Sequence, residues 1–126
     1  NSIALSYANQ LAKSLGYQII IEAIGGTGWN SPAANSPVTR LNVDGANQLA
    51  YRINGVNTPF QPTVHIVALG YNDAGGDMTA LASNVSSYIA ASVTKPLILG
   101  PWTPLGSTAN LSMVRNTLQH RQMQHI

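Results

Sequence analysis

Apolar residues recur at spacings of three and four from Ser2 to Leu15, placing Leu5, Ala8, Leu11, Ala12 and Leu15 on one face. That period predicts a helix, with Gly16 just past its end. From Tyr17 to Ile24 (YQIIIEAI) the pattern becomes a nearly unbroken apolar run, which predicts a strand. It stops at Gly25-Gly26-Thr27-Gly28-Trp29, a turn that lets another group come close to the backbone. Asn30 to Thr39 (NSPAANSPVT) reads as a loop. Asp44 then caps a short predicted helix through Ile53, with Ala46, Leu49, Ala50 and Ile53 on one face and Gly55 after it. Asn57 to Pro62 is a second Pro-bearing loop.

The centre of the pattern is Thr63 to Asp77, TVHIVALGYNDAGGD. Thr63 to Leu69 is apolar and rich in β-branched residues, and Gly70 breaks it. Such a run predicts a strand buried on both faces, as in parallel sheets. Asp77 is placed to cap a helix from Met78 to Ala91 whose Met78, Leu81, Val85, Tyr88 and Ile89 face inward. Leu97 to Gly100 predicts a third strand, stopped by the Pro-rich Pro101-Trp102-Thr103-Pro104-Leu105-Gly106. Ser107 or Thr108 caps a last helix with Leu111, Val114 and Leu118 as its apolar row.

The order α-β-α-β-α-β-α predicts a parallel sheet with crossover helices, in a single domain. Three strands make a narrow sheet, two of them with long unpaired edges. The expectation is therefore the middle of a larger domain, its missing strands supplied by the rest of the parent protein or by another chain.

Composition narrows the chemistry. The 126 residues are 44% hydrophobic and only 8% charged, with a formal charge of +2. No basic cluster exists to release counterions, so a nucleic-acid partner is not expected. The absence of cysteine excludes disulfides and thiolate chemistry. His65, His120 and His125 have no metal-ligand spacing with the few carboxylates, and no cofactor is expected. No apolar run approaches a membrane span. A surface solvated by Ser, Thr, Asn and Gln suits an extracellular or virion protein.

In an open α/β sheet, chemistry gathers beyond the carboxyl ends of the strands. Three loops are expected there: Gly25 to Trp29, Gly70 to Asp73, and Pro101 to Leu105. The first offers a glycine N–H and the second the Asn72 amide, two neutral donors of the kind that stabilise an oxyanion. Read locally, Asn72 and Asp73 are equally ordinary turn residues. Asp73 is expected to cap its turn or orient the Asn72 loop. Trp29 and Trp102 either line a pocket or plug the sheet edge. The sequons at Asn84 and Asn110 fall in predicted helices and read as chance matches.

Together, YQIIIEAIGGTG and VHIVALGYND resemble the second and third (G-x-N-D) sequence blocks of the SGNH, or GDSL-type, hydrolase family. SYANQLAKSLGY is similar to the helix that follows that family's nucleophile, and the match runs from about Tyr7 to Pro104. The resemblance implies a flavodoxin-like three-layer α/β/α sandwich with parallel strand order 2-1-3-4-5. It implies oxyanion donors at the Gly26 N–H and the Asn72 side chain. It also implies an attacking Ser, activated by a His with an Asp three residues before it. The substrates it implies are O-acylated carbohydrates or lipid esters.

The chain departs from the family at both remaining blocks. Asn1-Ser2 stands where G-D-S is expected, so Ser2 is either the nucleophile's remnant or a helix cap. The D-x-x-H block is missing: Asp44, Asp73 and Asp77 are followed three residues on by Asn47, Gly76 and Ala80. His65, inside the strand, reads as a hydrogen-bonded core histidine, and His120 and His125 as surface residues. The expected function is thus part of an SGNH-type ester hydrolase, with this chain alone inactive. The alternatives are a non-catalytic structural or glycan-binding module of a secreted or virion protein, and a flavodoxin-like domain binding phosphate at Gly25 to Gly28.

Overall fold

The computed structural model describes residues 7–19, 26–30, 50–53, 56–59, 63–92, 94–101 and 109–125. Its elements, in order, are helix α1 (Tyr7–Leu15) and strands β1 (Ala50–Ile53), β2 (Val56–Pro59) and β3 (Ile66–Ala68). A 3-10 turn (Tyr71–Asp73), helix α2 (Met78–Ala91), strand β4 (Leu97–Leu99) and helix α3 (Ala109–Gln124) follow. Among the described residues, no helix is long and apolar enough to cross a membrane.

Helix α1 ends as its sequence predicts. Gly16 takes φ 72°. Its N–H donates to Lys13 O at 3.3 Å, and the Tyr17 N–H donates to Ala12 O at 2.8 Å. This crossed pair satisfies carbonyls that a helix end leaves open, and the left-handed residue between them favours glycine.

Two local expectations are overturned. Residues Ala50–Ile53, expected to finish a helix begun at Asp44, form a strand paired antiparallel with Val56–Pro59, of which Asn57 to Pro59 fall in the expected loop Asn57 to Pro62. The register sets Ile53 opposite Val56, leaving the two residues Asn54-Gly55 as the connection. Asn-Gly between β-formers is a strong hairpin signal, and it outweighs the short helical period before it. Tyr17 to Ile19, the start of the expected second strand, lie outside any strand. The remainder of that segment, 20–24, lies outside the described residues, as do 2–6 of the first predicted helix.

Among the described residues, β3-α2-β4-α3 carries the buried apolar cluster. Strands β3 and β4 are parallel, with Ile66, Val67 and Ala68 opposite Leu97, Ile98 and Leu99. Helix α2 makes the crossover between them that a parallel pair requires. This is a mixed helix-and-strand architecture with a small two-stranded parallel sheet. Val67 and Ile98 are buried against Leu81, Val85, Tyr88 and Ile89 of α2 and Val114 and Leu118 of α3. These residues follow the predicted helical rows, and each fully buried aliphatic side chain contributes about 1.5–3 kcal/mol. The run that holds β3 predicts a strand buried on both faces. Instead Ile66, Ala68 and Leu97 are exposed, because the sheet pleat turns alternate residues away from the two helices.

Polar contacts hold the ends of this unit. Asp77 caps α2, its Oδ1 accepting from Thr79 N at 2.8 Å and Ala80 N at 3.2 Å. At the other end of α2 the Lys95 ammonium donates to Ile89 O at 3.0 Å and Ser92 O at 2.9 Å, where a cation complements the helix dipole. Gln122 Oε1 accepts from Ile98 N at 2.6 Å, and Arg115 Nε donates to Pro101 O at 3.2 Å. These two bonds lay α3 back along β4.

Gly70, which ends β3, has φ 123°, and a Cβ there would lie 2.9 Å from Val114 Cγ1 and 3.1 Å from Pro101 Cδ. The chain thus turns out of β3 directly beneath α3. Gly70→Ala is expected to lower unfolding free energy by about 2–4 kcal/mol, from overpacking added to a left-handed backbone. Gly16→Ala, where no atom lies within 4 Å of the added Cβ, is expected to lose only about 1–2 kcal/mol from the backbone. Urea unfolding of the full protein measures both, and equal losses would contradict the packing argument.

Candidate functional site

Beyond the carboxyl end of β3, Gly70 leads into the 3-10 turn Tyr71–Asp73, whose Asp73 N–H donates to Gly70 O at 3.1 Å. The turn sets Asn72 and Asp73 against residues 26–30. Asn72 is exposed, and its Nδ2 donates to Thr27 O at 2.8 Å. Asp73 is 2% exposed, and its two carboxylate oxygens each take a backbone N–H. Oδ2 accepts from Trp29 N at 2.8 Å and Oδ1 from Asn30 N at 2.7 Å. Charge-assisted bonds of this length are among the stronger hydrogen bonds in proteins.

The contact extends into α2. Asn30 Nδ2 donates to Asp77 O at 2.8 Å. Asn84 Nδ2, two turns into α2, donates to Trp29 O at 3.1 Å and to Asn30 Oδ1 at 2.9 Å. Gly26, exposed with φ 77°, begins this clamped segment and has no atom within 4 Å of where a Cβ would stand. Two of the three expected loops therefore meet. Of the third, Pro101 approaches Gly70, while 102–105 lie outside the described residues.

Of the site residues expected from sequence, Gly26 and Asn72 stand on adjoining turns, linked through Thr27. Ser2 lies outside the described residues, as does Trp102. Trp29 does not line a pocket: it is fully buried, edge-on to Tyr88 with ring centroids 5.4 Å apart, and so plugs the core. The sequon at Asn84 is occupied by packing, since its amide nitrogen serves Trp29 and Asn30. What sequence reasoning missed is the reach of Asp73 to Trp29 and Asn30 and the part played by Asn30 and Asn84. Hydrogen bonds over 44 and 55 positions leave no periodic trace.

His65 is a core residue, as its place in the apolar run suggested. Its Nδ1 lies 3.4 Å from Thr94 O and its Nε2 3.1 Å from the Tyr88 hydroxyl. A carbonyl can only accept, so Nδ1 carries the proton and Nε2 accepts from the tyrosine. Burial lowers the His65 pKa below the usual histidine value, partly offset by the Thr94 bond. His120 is exposed beside Gln124, and His125 is exposed just past the end of α3. Among the described residues, no group of three or more His, Asp or Glu is placed to hold a metal ion.

A shallow cavity of about 410 Å³ lies between α2 and α3, lined in part by Met78, Thr79, His120 and Arg121. It is apart from the meeting turns, and its lining includes none of residues 26–30 or 70–73.

Comparison of the chain with protein-family models, with curated proteins and with solved structures finds no match.

Two outcomes follow for this region. Because the unfolded chain protonates at His65 before the folded one does, stability is full above pH about 6.5 and falls as pH drops toward the lowered folded value. Urea midpoints between about pH 5 and 8 are expected to slope accordingly, and His65→Asn to lose its share of that slope. Asn84→Asp replaces a donor by an acceptor facing Trp29 O and Asn30 Oδ1, and is expected to cost about 1–3 kcal/mol. An unchanged midpoint for Asn84→Asp would show that the bonds from Asn84 to Trp29 and Asn30 contribute nothing.

Proposed function

We propose that this chain forms the oxyanion-binding part of an SGNH-type ester hydrolase acting on O-acylated carbohydrates or lipid esters. The observation that carries this reading is the meeting of the Gly26–Asn30 turn with Asn72 beyond a parallel strand. In that family a glycine N–H and an asparagine amide supply the donors for a tetrahedral oxyanion. An amide NH₂ has two N–H groups, so the bond from Asn72 to Thr27 O uses one and leaves one for a substrate oxygen. Neutral donors fixed before the reaction begins stabilise the charge as it develops, without reorganising.

The proposed fold is the flavodoxin-like three-layer sandwich with order 2-1-3-4-5. Support comes from the parallel β3–β4 pair joined through α2, which is what that order requires of its third and fourth strands. Ser2 is the proposed nucleophile position, and the activating base would come from outside the residues described. The missing strands come from the parent protein or another chain, and the location proposed is extracellular or virion.

A second reading is favoured by the histidines. His65 is committed to Tyr88 and Thr94, and His120 to Gln124. Among the described residues, none of the three shares a hydrogen bond with 26–30 or 70–73. A site with donors and no base is what a non-catalytic structural or glycan-binding module on the same frame would have.

Hydrolysis of p-nitrophenyl acetate by the full protein separates the two readings. Asn72→Ala is expected to lower kcat by about 10²–10³-fold, the usual loss for one oxyanion donor. Its stability should fall by only about 1 kcal/mol, for the bond to Thr27. An unchanged kcat would remove Asn72 from the mechanism, and no turnover by the wild type would favour the module.

A further inference from the structure

We propose that Asp73 is a positioning residue whose carboxylate holds the Gly26 turn against Asn72, an assignment whose catalytic consequence rests on the hydrolase reading above. Three observations converge on it. The carboxylate takes the Trp29 and Asn30 N–H groups one to each oxygen, at 2.8 and 2.7 Å, while 2% exposed. Residues 29 and 30 lie in an irregular segment, so no helix or strand ladder takes those two amides, and buried N–H groups need acceptors.

The second observation is the fit at Gly28. A Cβ there would lie 3.0 Å from both carboxylate oxygens. A side chain at residue 28 would therefore press on the Asp73 carboxylate itself and move it relative to the turn. This gives Gly28 a role separate from that of Gly26, which has open space beside it.

The third is the rigidity of the holder. Asp73 N–H donates to Gly70 O at 3.1 Å and Asp73 O accepts from Gly76 N at 3.0 Å, so its backbone is fixed on both sides. Gly70 is in turn pressed under Val114 and Leu118. Consecutive residues 72 and 73 thus grip Thr27, Trp29 and Asn30 in order, and the separation between the Gly26 N–H and the Asn72 amide is set by that grip. Asp73 touches no reacting atom. It acts through the turn.

The test uses the full protein, with Asp73→Asn as the near-isosteric variant and Gly28→Ala as an independent route to the same displacement. Asn has one oxygen where Asp has two, so one of the two amides loses its acceptor. Amide hydrogen exchange at residues 29 and 30, whose N–H groups the carboxylate holds, is expected to speed up at least about tenfold in both variants, with residues 111–122 of α3 unchanged. On p-nitrophenyl acetate both variants are expected to lose at least about tenfold in kcat with KM little altered, as for an interaction made only in the transition state. The double variant should be no worse than the poorer single, because both remove one contact.

Exchange that speeds up equally in α3, or does not change at 29 and 30, would overturn the assignment. So would a kcat loss that only tracks the unfolded fraction. If the wild type cleaves no ester, the hydrolase reading falls, and the exchange pattern alone decides whether Asp73 holds the turn.

Discussion

The carboxylate of Asp73 joins two parts of the chain that are 44 residues apart in sequence, and much of the local structure follows from that junction. A carboxylate buried to 2% exposure is costly unless its oxygens are met by donors. Here the donors are backbone N–H groups of a segment outside any helix or strand, which itself needs acceptors. Each side resolves the other's deficit. With Trp29 N and Asn30 N fixed, the Trp29 ring seats edge-on to Tyr88 and closes one end of the apolar cluster.

The frame that presents Asp73 is made by ordinary burial. Val67 and Ile98 sit opposite each other in the parallel pair, and the rows of α2 and α3 cover them. Gly70 converts that packing into direction. With no room for a Cβ beneath α3, the chain leaves β3 in one conformation and delivers Asn72 and Asp73 to a fixed place. Core and site are therefore mechanically continuous, through α3, Gly70 and the 3-10 turn.

A chain with 8% charged residues has few ion pairs to draw on, and in this region it connects its parts with carboxamides. Asn30, Asn72 and Asn84 each bridge separate segments. Carboxamides offer donors and an acceptor without charge, so they bond backbone carbonyls at lower desolvation cost than ions. The function proposed for Asn72 would use the same property, a neutral donor in place before an oxyanion develops. His65, its pKa lowered by burial, likewise bridges two segments, lying between Thr94 O and the Tyr88 hydroxyl inside the core.

Much of this was legible in the residues alone. The end of α1 at Gly16, the cap at Asp77, the buried rows of α2 and α3, and the places of β3 and β4 follow from periods and caps that act over a few positions. The hairpin at Ala50–Pro59 was legible too, in Asn54-Gly55, but a short helical period masked it. The exposure of Ile66 and Leu97 was not, because burial depends on what packs over a face and not on the run itself. Nor could local pattern choose between Trp29 as pocket wall and Trp29 as core, or find the partners of Asp73. Those rest on contacts between distant segments, and only folding brings the segments together; a short-range pattern records the elements, while tertiary packing decides which of their ends meet.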